Sequence, residues 1–199
     1  MARILINHGL ANRRWPDHWQ RHLANALRQQ GHLVSYAQFP SPETPKLEEW
    51  QALLIAEAEL LVEAGEHLGE LIFVGHSLGS LNFLFAAASG TLPTAFDRVL
   101  LVAPADPTLL PDLEIDRVDL ENPEFAGFVA RFAKHLTIVA SDKDQWLPRG
   151  VVETFGKPLS VEPIIIEGGK HLSMADGWGY WQGVIDWVND PNADITHRQ

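Results

Sequence analysis

The chain has 199 residues, 46% of them hydrophobic and 21% charged, no cysteine, and 26 acidic against 15 basic side chains for a net charge of −11. The lack of Cys excludes disulfide scaffolds, thiolate zinc sites, iron–sulfur ligation and a cysteine nucleophile, and the acidic balance argues against a nucleic-acid partner. No apolar run reaches the length of a membrane span, and the opening run Ile4–Ile6 is too short for a signal-peptide core, so a soluble, cytoplasmic protein is expected.

Ile4–Asn7 reads as a buried strand followed by the turn His8-Gly9. Apolar residues at helical spacing (Trp15, Trp19, Leu23, Leu27) predict a helix over 15–30, with Gly31 as its stop. His32–Tyr36 predicts a second strand, and the Pro-rich connection Phe39–Pro45 leads into a helix over 47–64. Leu71–Gly75 predicts a third strand and Ser77–Ala88 a helix behind it. Arg98–Val102, His135–Ala140 and Pro163–Ile166 follow as strands, and Trp178–Val188 closes the series as a helix. Strands without polar alternation, separated by helices, predict an α/β fold: a three-layer α/β/α sandwich on a mostly parallel sheet of about six strands. With no linker in view, one domain is expected over 1–189, trailed by a polar tail over 190–199 that is expected to fray. The irregular stretch Pro104–Glu124, rich in Pro and carboxylates, is expected to arch over one end of the sheet. Its acidic side chains would repel anionic substrates.

The strongest chemical signal is Gly75-His76-Ser77-Leu78-Gly79, a G-x-S-x-G between a predicted strand and a predicted helix. A Ser on so sharp a turn takes strained backbone angles, and its neighbours two residues away must be tiny. The helix it opens aims N–H groups and the positive dipole end at any oxyanion forming there. The plainer alternative, a helix-capping Ser between turn glycines, is weakened by this strand–turn–helix context.

A serine hydroxyl needs a base to react at neutral pH. Of nine histidines, His171 in Gly168-Gly169-Lys170-His171 follows a predicted strand as Ser77 does, and the strand C-termini of a parallel sheet share one edge. His32 opens its strand and belongs at the opposite edge. His76 cannot swing onto its neighbour Ser77, and His197 lies in the tail. His18 and His22 read as a solvated helix face rather than a metal pair, so no metal site is expected. The base in turn needs a carboxylate to fix its tautomer and stabilise the imidazolium. Asp142 and Asp144 both follow the fifth strand; the order Ser, Asp, His fits a hydrolase, and the pattern alone leaves both carboxylates open.

Together these residues resemble the α/β-hydrolase superfamily, and within it the small YdeN-like and retinoblastoma-binding-protein-like serine hydrolases. The resemblance runs over nearly the whole chain: His8-Gly9 with Trp19 downstream, Gly75–Gly79, Val102-Ala103-Pro104, Asp144–Pro148, and Gly169-Lys170-His171 with Trp181 beyond. It implies a minimal fold without a large lid. It implies Asp144 as the acid, through a D-x-x-x-P segment, and Ser77, His171 and Asp144 as a catalytic triad. The oxyanion donors it implies are the backbone N–H groups of Leu78 and Leu10. Lys170, standing between Gly169 and His171, departs from the usual Gly-His pair. The implied reaction is hydrolysis of a carboxylic ester, thioester or amide through an acyl-enzyme, with a small-molecule acyl substrate and no cofactor. The alternatives are an acyltransferase, or a scaffold that has lost turnover. Trp146, Trp178 and Trp181 could wall a substrate pocket or pack the core.

Overall fold

The computed structural model describes residues 1–110 and 119–198. Six strands form one sheet in the order β2-β1-β3-β4-β5-β6: β1 (Arg3–Asn7), β2 (Leu33–Ser35), β3 (Leu71–His76), β4 (Phe96–Val102), β5 (Ala133–Ser141) and β6 (Ile164–Ile166). Every neighbouring pair is parallel, so the sheet is wholly rather than mostly parallel. The chain steps from β1 outward to β2 and then back across β1 to β3, which makes the gap beyond β1 and β3 the switch point where such sheets bind ligands. The register pairs Asn7 with Gly75 and His76 with Val102, so the loops after β1, β3 and β4 leave the sheet side by side.

Alternation along the central strands builds the two outer layers. Leu5, Phe73, Val99 and Leu101 face one side, with α2 (Leu47–Glu63), α3 (Leu78–Ala88) and α4 (Phe125–Ala130). Ile4, Ile6, Ile72, Val74, Leu100 and Val102 face the other, with α1 (Trp19–Gln29) and α6 (Gln182–Asn189). Helix α3 is buried around its whole circumference from Leu78 to Ala87, which is why all but Ser80 and Asn82 there are apolar or Gly. Phe73 and Phe83 lie 4.6 Å apart and join α3 to the sheet.

Several expectations shift. Helix α1 begins at Trp19, capped by His18, four residues later than predicted, because Pro16 and Asp17 lie in a turn and Trp15 stays 46% exposed. The last helix starts at Gln182 rather than Trp178. Helix α4, and a π turn at Val152–Gly156 continuing into α5 (Lys157–Leu159), are additional. The tail does not fray: Ile195 is buried, its carbonyl accepts from Trp181 Nε1 at 2.8 Å, and His197 O accepts from Gly183 N at 2.8 Å. Of the acidic stretch, Asp112, Glu114, Asp116 and Arg117 lie outside the described residues. Asp106 is buried beneath Arg149, with its carboxylate accepting from Thr108 N at 3.0 Å and Thr108 Oγ at 2.7 Å.

Candidate active site

Ser77 stands between β3 and α3 at φ 53°, ψ −120°, a conformation an L-residue adopts at a cost of roughly 1–3 kcal/mol. The surroundings impose it. Its N–H donates to Val102 O at 2.9 Å, tying the turn to β4. A Cβ on Gly79 would collide with the carbonyl oxygens of Asn7 and His8, and one on Gly75 would lie 2.9 Å from the Ser80 backbone. Glycine at both positions is what lets β1, the turn and α3 approach this closely.

Ser77 Oγ donates to His171 Nε2 at 2.8 Å. On the far side of the ring, Nδ1–H donates to Asp144, with the two carboxylate oxygens at 2.8 and 2.9 Å. The Asp144 side chain is fully sealed and also accepts from Trp146 N at 2.9 Å, so its orientation is fixed by its own loop. The structure thus brings Ser77, His171 and Asp144 into one chain of hydrogen bonds. Asp142 points elsewhere: it accepts from Gly168 N at 2.7 Å, clasping the loop after β5 to the loop that carries His171. That N–H holds the Asp142 carboxyl below the usual carboxylate range.

The His171 loop is pinned on all sides. Lys170 and Leu172 both take positive φ, 54° and 50°, and turn the ring toward Ser77. His171 N donates to Asp176 at 3.2 Å, and the same carboxylate accepts from Ser173 Oγ at 2.7 Å. Trp19 Nε1 donates to Leu172 O at 3.0 Å, Trp178 Nε1 to Gly169 O at 2.9 Å, and His76 Nε2 to His171 O at 3.0 Å. Trp178 and Trp181 are therefore packing residues, whereas Trp146 lines the cavity. No sequence motif marks Asp176, a carboxylate five residues past the histidine.

A cavity of about 310 Å³ opens over Ser77. Its walls are mainly apolar, with Leu10, Leu110, Trp15, Trp146 and Met174, and no Asp, Glu, Lys or Arg lines it among the described residues. Leu10 and Leu78 both border it beside Ser77. As the first residue of α3, Leu78 has an N–H with no intrahelical acceptor, and the Leu10 N–H likewise meets no acceptor among the described residues. His8 turns away from the cavity: Phe39 N donates to its Nε2 at 2.9 Å, and burial lowers its pKa to about 4.

The expectation of a solvated His18–His22 face is overturned for His18, which is 4% exposed and lines the cavity. Placing the helix start at Trp15 had put His18 inside α1 rather than at its head. His22 is half-buried, 5.9 Å from the Tyr180 ring. His32 sits at the opposite sheet edge, accepting from Ala2 N at 3.0 Å. Among the described residues no group of three His, Asp or Glu is arranged to hold a metal ion, and no helix is long and apolar enough to cross a membrane.

The sequence profile of a serine hydrolase family matches residues 4–190, and the chain belongs to that family. The ydeN gene product of B. subtilis is similar over 95% of this chain and 97% of its own, with a TM-score of 0.74 and 22% identity. A YdeN-like hydrolase from Pectobacterium atrosepticum is similar over 94% and 89%, with a TM-score of 0.68 and 20% identity. Est1E of Butyrivibrio proteoclasticus, solved with ferulic acid bound, is similar over 96% and 89%, with a TM-score of 0.63 and 14% identity. At these identities the likeness establishes the α/β-hydrolase fold. Comparison with curated proteins gave no match.

Proposed function

We propose that this serine hydrolase cleaves a carboxylic ester through an acyl-enzyme, with Ser77 as nucleophile, His171 as general base and then acid, and Asp144 as the carboxylate that orients it. The observation that carries the reading is the Ser77–His171–Asp144 relay, 2.8 Å at each of its two links, at a strained turn on the cavity floor. Ser77 Oγ attacks the carbonyl carbon while its proton passes to His171 Nε2. Asp144 stays ionised and holds the imidazolium through Nδ1–H. The oxyanion forms toward the free N–H groups of Leu78 and Leu10, and the dipole of α3 adds to its stabilisation. Collapse expels the alcohol, which takes the proton from His171. Water, deprotonated by the same nitrogen, then attacks the acyl-Ser77 carbonyl, and collapse frees the acid as Ser77 Oγ takes its proton back from His171. Thioesters and amides fit the same steps. An alcohol or amine in place of water would make the protein an acyltransferase, which product analysis with added acceptors tests.

The test is labelling by a fluorophosphonate probe together with turnover of short-chain esters. Wild type labels and turns over, whereas Ser77→Ala does neither and keeps its fold, because a smaller side chain adds no clash. Residual turnover within about tenfold of wild type would refute the assignment, since losing a triad member costs several orders of magnitude. A wild-type protein that never labels would return the fold to a binding or scaffold role.

A further inference from the structure

His18 is an unusual helix cap. Such caps are chiefly Ser, Thr, Asn or Asp, and any of them could accept the one bond that His18 Nδ1 takes from Gln20 N at 3.2 Å. What a histidine adds is a second nitrogen on the far side of the ring. Because Nδ1 is an acceptor, the neutral ring carries its proton on Nε2. The ring stays neutral because burial, helped by the nearby His8 and His22, lowers its pKa to about 4.

Nε2 meets no acceptor among the described residues, and it is not among the nitrogen atoms sealed in the core, unlike His76 Nδ1. His18 is only 4% exposed and lines the same cavity as Ser77 and His171. The ring stands 5.5 Å from His76, which in turn stands 5.2 Å from His171. The ring of His76 therefore stands between His18 and the base.

We infer that His18 Nε2–H binds substrate, donating to an oxygen acceptor other than the reacting carbonyl, and that the substrate is a compact uncharged ester carrying an ether, hydroxyl or second carbonyl oxygen. This rests on the ester-hydrolase reading and narrows it. His18 is a specificity residue and takes no part in proton transfer.

The test compares esters in which one methylene is replaced by oxygen: 4-nitrophenyl butyrate against 4-nitrophenyl methoxyacetate for the acyl side, and butyl acetate against 2-methoxyethyl acetate for the alcohol side. The readout is the kcat/KM ratio within each pair in wild type, divided by the same ratio in a variant, which cancels intrinsic reactivity. His18→Asn keeps an acceptor where Nδ1 lies and deletes the Nε2 donor. His18→Gln keeps a donor near Nε2 and gives up the cap. For at least one pair, His18→Asn loses about fivefold of the preference for the oxygen-bearing ester, while His18→Gln retains the preference and melts at a lower temperature. Turnover of the plain esters with unchanged ratios in His18→Asn for both pairs would overturn the inference alone. A loss shared equally by His18→Gln would trace to ring packing and overturn it as well. A wild type that neither turns over any of the four nor labels with a fluorophosphonate would overturn the hydrolase reading, and this inference with it.

Discussion

Lowering the pH from 7 to about 4.5 should strip the fold of stability through its buried histidines. His8 and His18 are held neutral by burial, each with its pKa lowered from 6.5 to about 4, and fully buried His76 is lowered in the same direction. A depressed histidine pKa means that the unfolded chain takes up a proton near 6.5 while the folded chain refuses it until about 4. The stability these residues contribute is therefore complete above the unfolded value and drains away as pH falls between those two. The slope is about 1.4 kcal/mol per pH unit for each histidine, so His8 and His18 together remove roughly 5 kcal/mol by pH 4.5. That is comparable with the whole stability of an ordinary domain, about 5–15 kcal/mol. Carboxylates with lowered values, such as Asp142 and Asp97, act in a lower window, their contribution fading only as pH falls toward and below 3.8. Urea unfolding followed by tryptophan fluorescence at half-unit pH steps measures the slope, and His18→Asn should reduce it by one histidine's share. A free energy of unfolding that stays flat between pH 6.5 and 4.5 would refute the reasoning, because it would mean these rings already carry charge in the folded state.

Asp144→Asn should lower kcat by roughly 10³- to 10⁴-fold through loss of the correct His171 tautomer. Asp142→Asn, which loosens only the Gly168 clasp, should stay within about tenfold of wild type in steady-state assays. Equal losses would show that the two carboxylates had been assigned the wrong way round. Asp176→Ala should cut kcat about tenfold with little change in KM, because Asp176 orders the His171 backbone and does not line the cavity. A KM effect alone would place Asp176 in binding instead.

Sequence pattern was informative wherever it reflected a local demand. Short apolar runs between turns located six strands, and G-x-S-x-G described a collision that the structure makes concrete, with Gly79 pressed on the carbonyls of Asn7 and His8. The relay followed from strand-end convergence, since residues just after β3, β5 and β6 meet at one edge. Choosing between Asp142 and Asp144 needed more than periodicity, because both reach the His171 loop, one by its backbone and the other by its ring. Helix α4 escaped notice because six residues with Gly127 in their middle carry neither a cap nor a full apolar period. The tail escaped because its composition is polar, while its order comes from one buried side chain, Ile195, and from carbonyls that meet Gly183 and Trp181 far back in the chain. His18 was misplaced for a related reason: histidine is outside the usual capping set, and the aromatic spacing from Trp15 to Trp19 imitates a first helical turn.

Substrate charge is where the sequence and the structure lead to different experiments. A carboxylate-rich segment at a cleft mouth would favour cations over anions through a field that salt screens. Within that segment Asp106 is buried and spent on Thr108 and Arg149, and the Asp119 carboxylate accepts from Glu121 N in a local turn. The cavity itself is walled by apolar side chains and neutral polar ones among the described residues. An ion of either sign entering it leaves water without gaining a counterion, which costs several kcal/mol and is not a long-range field that salt can screen. Esters with a neutral, a carboxylate-bearing and an ammonium-bearing acyl chain of equal length separate the two ideas. The neutral ester should exceed both charged ones in kcat/KM by roughly 30-fold or more, and raising the salt from low to high concentration should leave that order intact. A cationic ester that outruns the neutral one at low salt and loses its advantage at high salt would show that the acidic segment, and not the cavity wall, selects the substrate.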